Sequence, residues 1–330
     1  MSLAQSILQQ YQLPPIDRVE YLGGAGGFSG AQLWKVHCVG DGGQAFCLRR
    51  WPLQHPDRDR LEWINLVLVH VAANGCAEVA VPRESIQGQR YVPQNGYFWE
   101  VSPWMPGVAD FVKDPSDVRL ANVVDSLARF HLASAQVNLD FRQSPNARSR
   151  YDALMSASEL IGRIGQVSPQ SLMASEIPSI SYLRDSITRL GTATAKQLAT
   201  DLKPFVDEIF PVQPVIRDVW HDHILFTGDQ VTGVVDFGAM QMDNIALDLA
   251  RVLGSLVGDQ AERWDFAFNA YGQTRSLQPR EVEFALVMDR CASFLASLNW
   301  LNWILIEQRS FESPADVEKR ISQLIGRLNG

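Results

Sequence analysis

A chain of 330 residues with 46% hydrophobic and 20% charged side chains can bury a core in each of two lobes, which excludes a disordered protein. A net charge of −8 and a pI of about 5.3 exclude a general attraction to nucleic acid or anionic lipid, and suit a neutral or cationic small molecule. Cys38, Cys47, Cys76 and Cys291 lack CxxC spacing, against zinc and against a disulfide framework, and the start MSLAQSILQQYQLPP is no signal peptide; no apolar run spans a membrane, so a cytoplasmic protein is expected.

In chain order, residues 2–11 predict a short amphipathic helix closed by Pro14 and Pro15. A first strand runs into Gly23-Gly24-Ala25-Gly26-Gly27-Phe28-Ser29-Gly30, and residues 31–36 alternate as a second strand. A glycine-rich turn between strands lets backbone N–H groups approach phosphate closely, because no Cβ intervenes. The strand over 44–51 holds Arg49 and Arg50, whose side chains must leave opposite faces. A helix over 57–74 follows, with Glu62 near its start, either as a solvated acid that favours the helix N-terminus or as a partner for Arg49. Tyr91-Val92 and residues 97–101 form a hairpin pair, and Ser102-Pro103-Trp104-Met105-Pro106-Gly107 is a linker.

Beyond the linker the pattern turns helical. Ser116 is an N-cap for a helix to 135, with Leu120, Val123, Val124, Leu127 and Phe130 on one face and His131 as a core residue beside them. Residues 138–150 read as a polar connector, 151–165 and 179–198 as helices, and 201–210 as the approach to the segment VIRDVWHDHILFTGDQVTGVVDFGA at 215–239. In that segment two apolar stretches, 223–227 and 231–237, flank Gly228-Asp229-Gln230, which predicts a β-hairpin. Asp218 lies on the loop entering it, His223 opens its first strand and Asp236 ends its second. Two carboxylates at the mouth of a small hairpin can share a divalent cation and orient a hydroxyl nucleophile, as phosphoryl transfer requires. Asp243 follows, then a helical stretch over 244–256 in which Asp248 is read as structural, then helices near 260–271, 279–306 and 314–328. Trp300 and Trp303 share a face of the second of these, as core packing or as a cation–π pocket for an organic cation.

Asp218, His223 five positions on, and Asp236-Phe237-Gly238 thirteen further on resemble the catalytic and metal loops of the aminoglycoside phosphotransferase and choline kinase superfamily, relatives of protein kinases. The resemblance implies an α+β, protein-kinase-like bilobal fold: a small β-rich lobe and hinge over 1–107, and a larger, mainly helical lobe over 108–330. It implies transfer of the γ-phosphoryl of ATP or GTP to a hydroxyl of a small molecule, with Mg²⁺, or Mn²⁺ as the alternative. Asp218 takes the role of base, and Asp236 that of metal ligand, with His223 or Asp222 assisting. Gly24, Gly26, Gly27, Phe28 and Ser29 take the phosphates, as does Arg49 with Glu62 as its partner. Pro103, through its carbonyl, and Met105, through its N–H, take the purine. Val79-Ala80-Val81-Pro82, Leu127-Ala128-Arg129-Phe130-His131 and Asp248-Leu249-Ala250 also resemble family segments.

Two positions depart from the pattern. Ile216 stands where a His is usual, and His223 where an Asn holds metal. Imidazole suits softer ions than Mg²⁺, so His223 is read as a metal ligand or as a structural residue. Both departures favour the alternative, a nucleotide-binding pseudokinase that works as a regulatory module. The short stretch before Asp248 and the lack of Ala-Pro-Glu argue against a protein kinase. The acceptor pocket has no match in the resemblance; Trp300 and Trp303 are the substrate candidates.

Overall fold

The computed structural model describes residues 3–24, 30–40, 43–53, 55–168, 176–311 and 313–327. Along the chain run α1 (Leu3–Leu8), β1 (Ile16–Gly23), β2 (Gln32–Cys38), β3 (Ala45–Arg50), α2 (Arg58–Ala73), β4 (Val92–Gln94), β5 (Tyr97–Pro103) and α3 (Asp117–Ala135). Then come β6 (Asp140–Arg142), α4 (Pro145–Gly165), α5 (Ile180–Val206), β7 (Phe210–Val215), β8 (Ile224–Thr227), β9 (Gln230–Val234) and β10 (Gln241–Asp243). Helices α6 (Ala246–Leu256), α7 (Ala261–Thr274), α8 (Pro279–Leu301) and α9 (Pro314–Gly326) complete it. Among the described residues no helix is long and apolar enough to cross a membrane.

The chain divides into two compact units, one of Met1–Asn138, Ile216–Gln241 and Ala270–Arg275, the other of the remaining segments. The division expected near Gly107 therefore differs from the one observed: α3 and the β8–β9 hairpin group with the N-terminal strands. Hydrogen bonds account for this, since Val108 and Phe226 exchange backbone bonds at 3.0 and 2.9 Å, and Asn122 Nδ2 donates to Asp229 O at 2.8 Å.

In the first unit an antiparallel sheet has the order β1-β2-β3-β5-β4. Period-two alternation puts Val36, Cys38, Phe46, Leu48, Trp99 and Val101 on one face, where Ala4, Ile7, Leu8 and Tyr11 from and just beyond α1 cover them. Each large apolar side chain buried there contributes about 2 kcal/mol. Trp51, Leu61 and Tyr91 form a second cluster with Phe98, which docks α2. Asp57 caps α2 by accepting the Arg60 N–H at 2.9 Å, and Ser116 caps α3 through Arg119 N at 3.1 Å. His131 is a core residue as expected, fully buried and 2.8 Å from the Tyr271 hydroxyl.

In the second unit β7 is the central strand of a sheet ordered β10-β7-β6. Three expectations fail here for local reasons. The polar connector over 138–150 holds β6 and the start of α4, whose N-cap is Ser144. Helix α5 continues past Leu198 to Val206 with Pro204 inside its last turn. Strand β7 contains Pro211 and Pro214, which hid it from a strand reading; its neighbours are only three residues long, so few ladder bonds are lost.

Candidate active site

The face of β3 opposite the α1 core carries Cys47, Arg49 and, just past the strand, Trp51. Arg50 leaves by the other face, as the alternation requires, and stacks 4.3 Å from the Tyr97 ring centroid. Arg49 Nη1 donates to Asp236 Oδ1 at 2.8 Å, while its guanidinium lies 4.6 Å from the Trp51 ring. Burial works most strongly against the charge of Arg49, but Asp236, Cys47 and Glu100 together overcome it and the net shift is upward. Burial likewise pushes the Asp236 carboxyl up; Arg49, then His223, then the Gly238 N–H overcome it and hold the acid below its ordinary range.

The acid expected to meet Arg49 was Glu62, and this is corrected. Glu62 is exposed on α2 and accepts the Tyr91 hydroxyl at 2.5 Å. That contact, with burial, pushes the Tyr91 phenol up to about 12. The inward polar position of α2 is Asn65, three residues later and nearly one helical turn on.

The hairpin is shorter than expected. Strand β9 stops at Val234, Val235 N donates to His223 O at 3.0 Å, and Asp236 has φ +66°. That left-handed conformation costs a side-chain-bearing residue about 1 kcal/mol, and it ends the strand two residues before Asp236 can join it. Gly238 is required where it stands: a Cβ there would lie 2.7 Å from the Trp51 ring. Phe237 stacks on Phe130 with centroids 6.3 Å apart.

His223 lies not in β8 but in the 3₁₀ turn His221–His223 before it. Its Nδ1 is 2.7 Å from Asp218 O, and its Nε2 accepts the Trp220 Nε1–H at 3.0 Å, so the pairing places the ring proton on Nδ1. Nε2 is also 3.8 Å from Asp236 Oδ2. Imidazole thus holds the Asp218 main chain, while the His223 carbonyl holds Val235, next to Asp236. With both nitrogens engaged it offers no outward lone pair, against the expected ligand role. Asp222 lies beside His221, 3.5 Å from its Nε2. Among the described residues no three His, Cys, Asp or Glu side chains gather as a metal cluster. Asp236 still fits a magnesium site of the sparse kind, one carboxylate plus substrate phosphates and water, through Oδ2.

Arg60 and Arg217 act on each other. Arg217, beside Asp218, has φ +69°. Arg60 Nη2 donates to Met240 O at 2.9 Å, and burial first, then Arg217, lowers its pKa. At the linker, Trp104 N donates to Ala45 O at 3.0 Å. Extended backbone alternates its polar groups, so the Pro103 carbonyl, at the end of β5, faces away from β3, on the side where Val101 O accepts Arg83 N at 2.7 Å.

The structure thus brings a β3 arginine against an acid on the loop after a small hairpin, the expected phosphate cation against the expected metal acid. Residues 27–283 match the phosphotransferase enzyme family. The chain belongs to that family. The chain is 24% identical over 272 residues to a homoserine kinase from Bradyrhizobium sp. (strain ORS 278), covering 81% of this chain and 76% of the relative. A homoserine kinase of Rhodopseudomonas palustris (strain ATCC BAA-98 / CGA009) is 25% identical over 281 residues with the same coverage. Among solved structures, spectinomycin phosphotransferase in complex with ADP and spectinomycin superposes with TM-score 0.69 at 11% identity, over 100% of this chain and 98% of that one. A choline/ethanolamine kinase family protein from Mesorhizobium loti gives 0.57 at 14% identity, over 100% and 96%. The fold is the α+β, protein-kinase-like one that the sequence implied.

In this phosphotransferase Gly26, Gly27, Phe28 and Ser29 lie outside the described residues, while Gly24 sits in the turn that closes β1. Trp300 is buried and meets Trp303 edge-on at 5.1 Å, in a π-helical turn over Asn302–Ile306. The Trp303 ring already carries a cation, Arg309, 4.9 Å from its centroid, so the second unit fills this cation–π site itself. Sequence reading missed Trp51, Asn65 and Glu100. The signal was present for Glu100, an acid inside the apolar run Tyr97-Phe98-Trp99-Glu100-Val101, where a charge is tolerated only with partners.

Proposed function

We propose that this phosphotransferase moves the γ-phosphoryl of ATP or GTP to a hydroxyl group of a small molecule. Asp218 accepts the hydroxyl proton as the acceptor oxygen bonds to phosphorus and the β,γ-bridging P–O bond breaks, releasing the nucleoside diphosphate. A bound Mg²⁺, or Mn²⁺, supplies neutralisation of charge on the phosphates. Asp236 holds that cation through Oδ2, and Arg49 faces the phosphates with the donors that Asp236 leaves free. His223 positions the two acidic loops against each other, and Pro103 and Met105 take the base. The observation that carries the reading is the Arg49–Asp236 pair at 2.8 Å, which joins the expected phosphate cation to the expected metal acid.

Homoserine, named for the curated relatives, is the first acceptor to test, followed by other small amino alcohols. The test is product formation followed by ³¹P NMR with ATP or GTP, Mg²⁺ and the acceptor panel, in wild type and Asp218→Asn. Product in the wild type alone supports the reading; equal turnover in the variant overturns it. A nucleotide-binding module without turnover is the second reading, favoured by the engaged nitrogens of His223 and by buried Ile216. Tight binding of ATP with neither transfer nor slow hydrolysis, in Mg²⁺ and in Mn²⁺, decides for it.

A further inference from the structure

Arg49 has a second acid beside it. Glu100 on β5 stands directly opposite Arg49 on β3, so the two side chains leave the same face of the sheet. Glu100 is 5% exposed. Its Oε2 accepts Trp51 Nε1–H at 2.6 Å, and its Oε1 accepts Asn65 Nδ2–H at 3.0 Å. Trp51 in turn lies under the Arg49 guanidinium. A carboxylate so deeply placed persists only where donors and a cation face it, and here all three do. Burial raises the Glu100 pKa against the pull of Asn65, Trp51 and Arg49, and Glu100 adds to the upward shift of Arg49.

The two acids beside Arg49 differ in what else can claim them. Asp236 has an oxygen open to a phosphate-bound cation. Glu100 has its oxygens held by Trp51 and Asn65 and makes no direct ion pair with Arg49; it acts on Arg49 by its charge across the ladder and through Trp51, which lies under the guanidinium, whatever binds at Asp236. Helix α2 therefore communicates with β3 through Asn65 and Glu100, whereas Glu62 is turned to Tyr91. We propose that Glu100 is the positioning residue that fixes Arg49 toward the nucleotide phosphates, in the place that the resemblance gives to Glu62. The inference rests on the phosphotransfer reading above.

The test compares affinities for ATP and for adenosine by calorimetry, with Mg²⁺, in wild type, Glu100→Gln, Glu62→Gln and Arg49→Met. Glu100→Gln is expected to weaken ATP about tenfold while leaving adenosine unchanged, and to raise KM for ATP more than it lowers kcat. Glu62→Gln is expected to change neither affinity. In an Arg49→Met background the effect of Glu100→Gln should vanish, a non-additivity that general loosening of the fold would not produce. Should Glu100→Gln fail to fold, Glu100→Asp carries the test, since it keeps the charge but withdraws it by one methylene; a loss of about threefold in ATP alone is then expected. The inference is overturned if the ATP-to-adenosine ratio is unchanged in the Glu100 variants, if Glu62→Gln moves it as much, or if the effects of Glu100 and Arg49 add. A wild type that binds neither ATP nor GTP is a different failure: it removes the phosphotransfer reading itself.

Discussion

Asp236 and Asp243 are seven positions apart and have opposite surroundings. Asp243 is fully buried and sealed: Oδ1 accepts Ser144 Oγ at 2.6 Å and Asn244 N at 2.8 Å, and Oδ2 accepts Asn146 N at 3.0 Å and Asn146 Nδ2 at 2.7 Å. Four donors on one carboxylate lock the start of α4, and nothing remains for a ligand. Asp236 has 34% of its side chain exposed, sits at φ +66°, and among the described residues meets a single side-chain hydrogen-bond donor, Arg49. A carboxylate with every lone pair filled holds the fold; one held by a single cation, on a strained backbone, has an oxygen left for chemistry.

The largest effects should separate these two acids by what they disturb. Asp236→Ala is expected to lower phosphoryl transfer at least about 1000-fold and to abolish measurable binding of the metal–nucleotide complex. Its loss of stability should be smaller than that of Asp243→Ala, because the Asp236 side chain is 34% exposed and water screens the charge left on Arg49. Asp218→Asn should cost turnover about 100- to 10,000-fold with nucleotide affinity kept, which distinguishes a base from a metal ligand in the same assay. Asp243→Ala should reverse the picture, losing about 3–5 kcal/mol of stability in a denaturant titration while the folded fraction retains its activity per molecule. Equal stability losses for Asp236→Ala and Asp243→Ala would erase the contrast.

Gly238→Ala probes how closely the open acid is framed. A Cβ 2.7 Å from the Trp51 ring must push the ring or the loop, at about 1–3 kcal/mol, and should raise KM for nucleotide because Trp51 underlies Arg49. A variant as stable and as tight-binding as wild type would contradict that packing. The smallest effect is in pH. Since the folded-state pKa of Asp236 is depressed, its contribution is complete above the ordinary carboxylate range and is lost as pH falls through the lower folded value. Asp236→Asn should therefore lower stability slightly at neutral pH, where the contribution is complete, and flatten the acid side of a stability–pH curve, meeting wild type below the folded-state value. The same shallow slope in both proteins would mean that the Arg49 pair contributes nothing there.

Much of the local structure was legible in the residues. The cap at Ser116, the opposite facing of Arg49 and Arg50, the buried His131 and the spacing of Asp218, His223 and Asp236 all follow from short-range rules that act within a turn or a strand. What failed was partner choice. Glu62 had the right charge and a plausible place, yet the helix phase turned Asn65 inward instead. His223 had the position of a ligand, yet Trp220, three residues before it, took its free nitrogen. Strand β7 was masked by its prolines, whose cost depends on the length of neighbours the local sequence does not mention.

The sequence by itself determined which residues could carry charge to a common face, and through its motif spacing the family and the class of reaction. Only the tertiary structure decided that Arg49 meets Asp236, 187 positions away, that Glu100 stands across the ladder from it, and that Trp51 and Gly238 are in contact. The reason is physical: periodicity fixes the direction in which a side chain leaves its own element, whereas the identity of what it meets is set by sheet register and by packing between segments far apart in the chain.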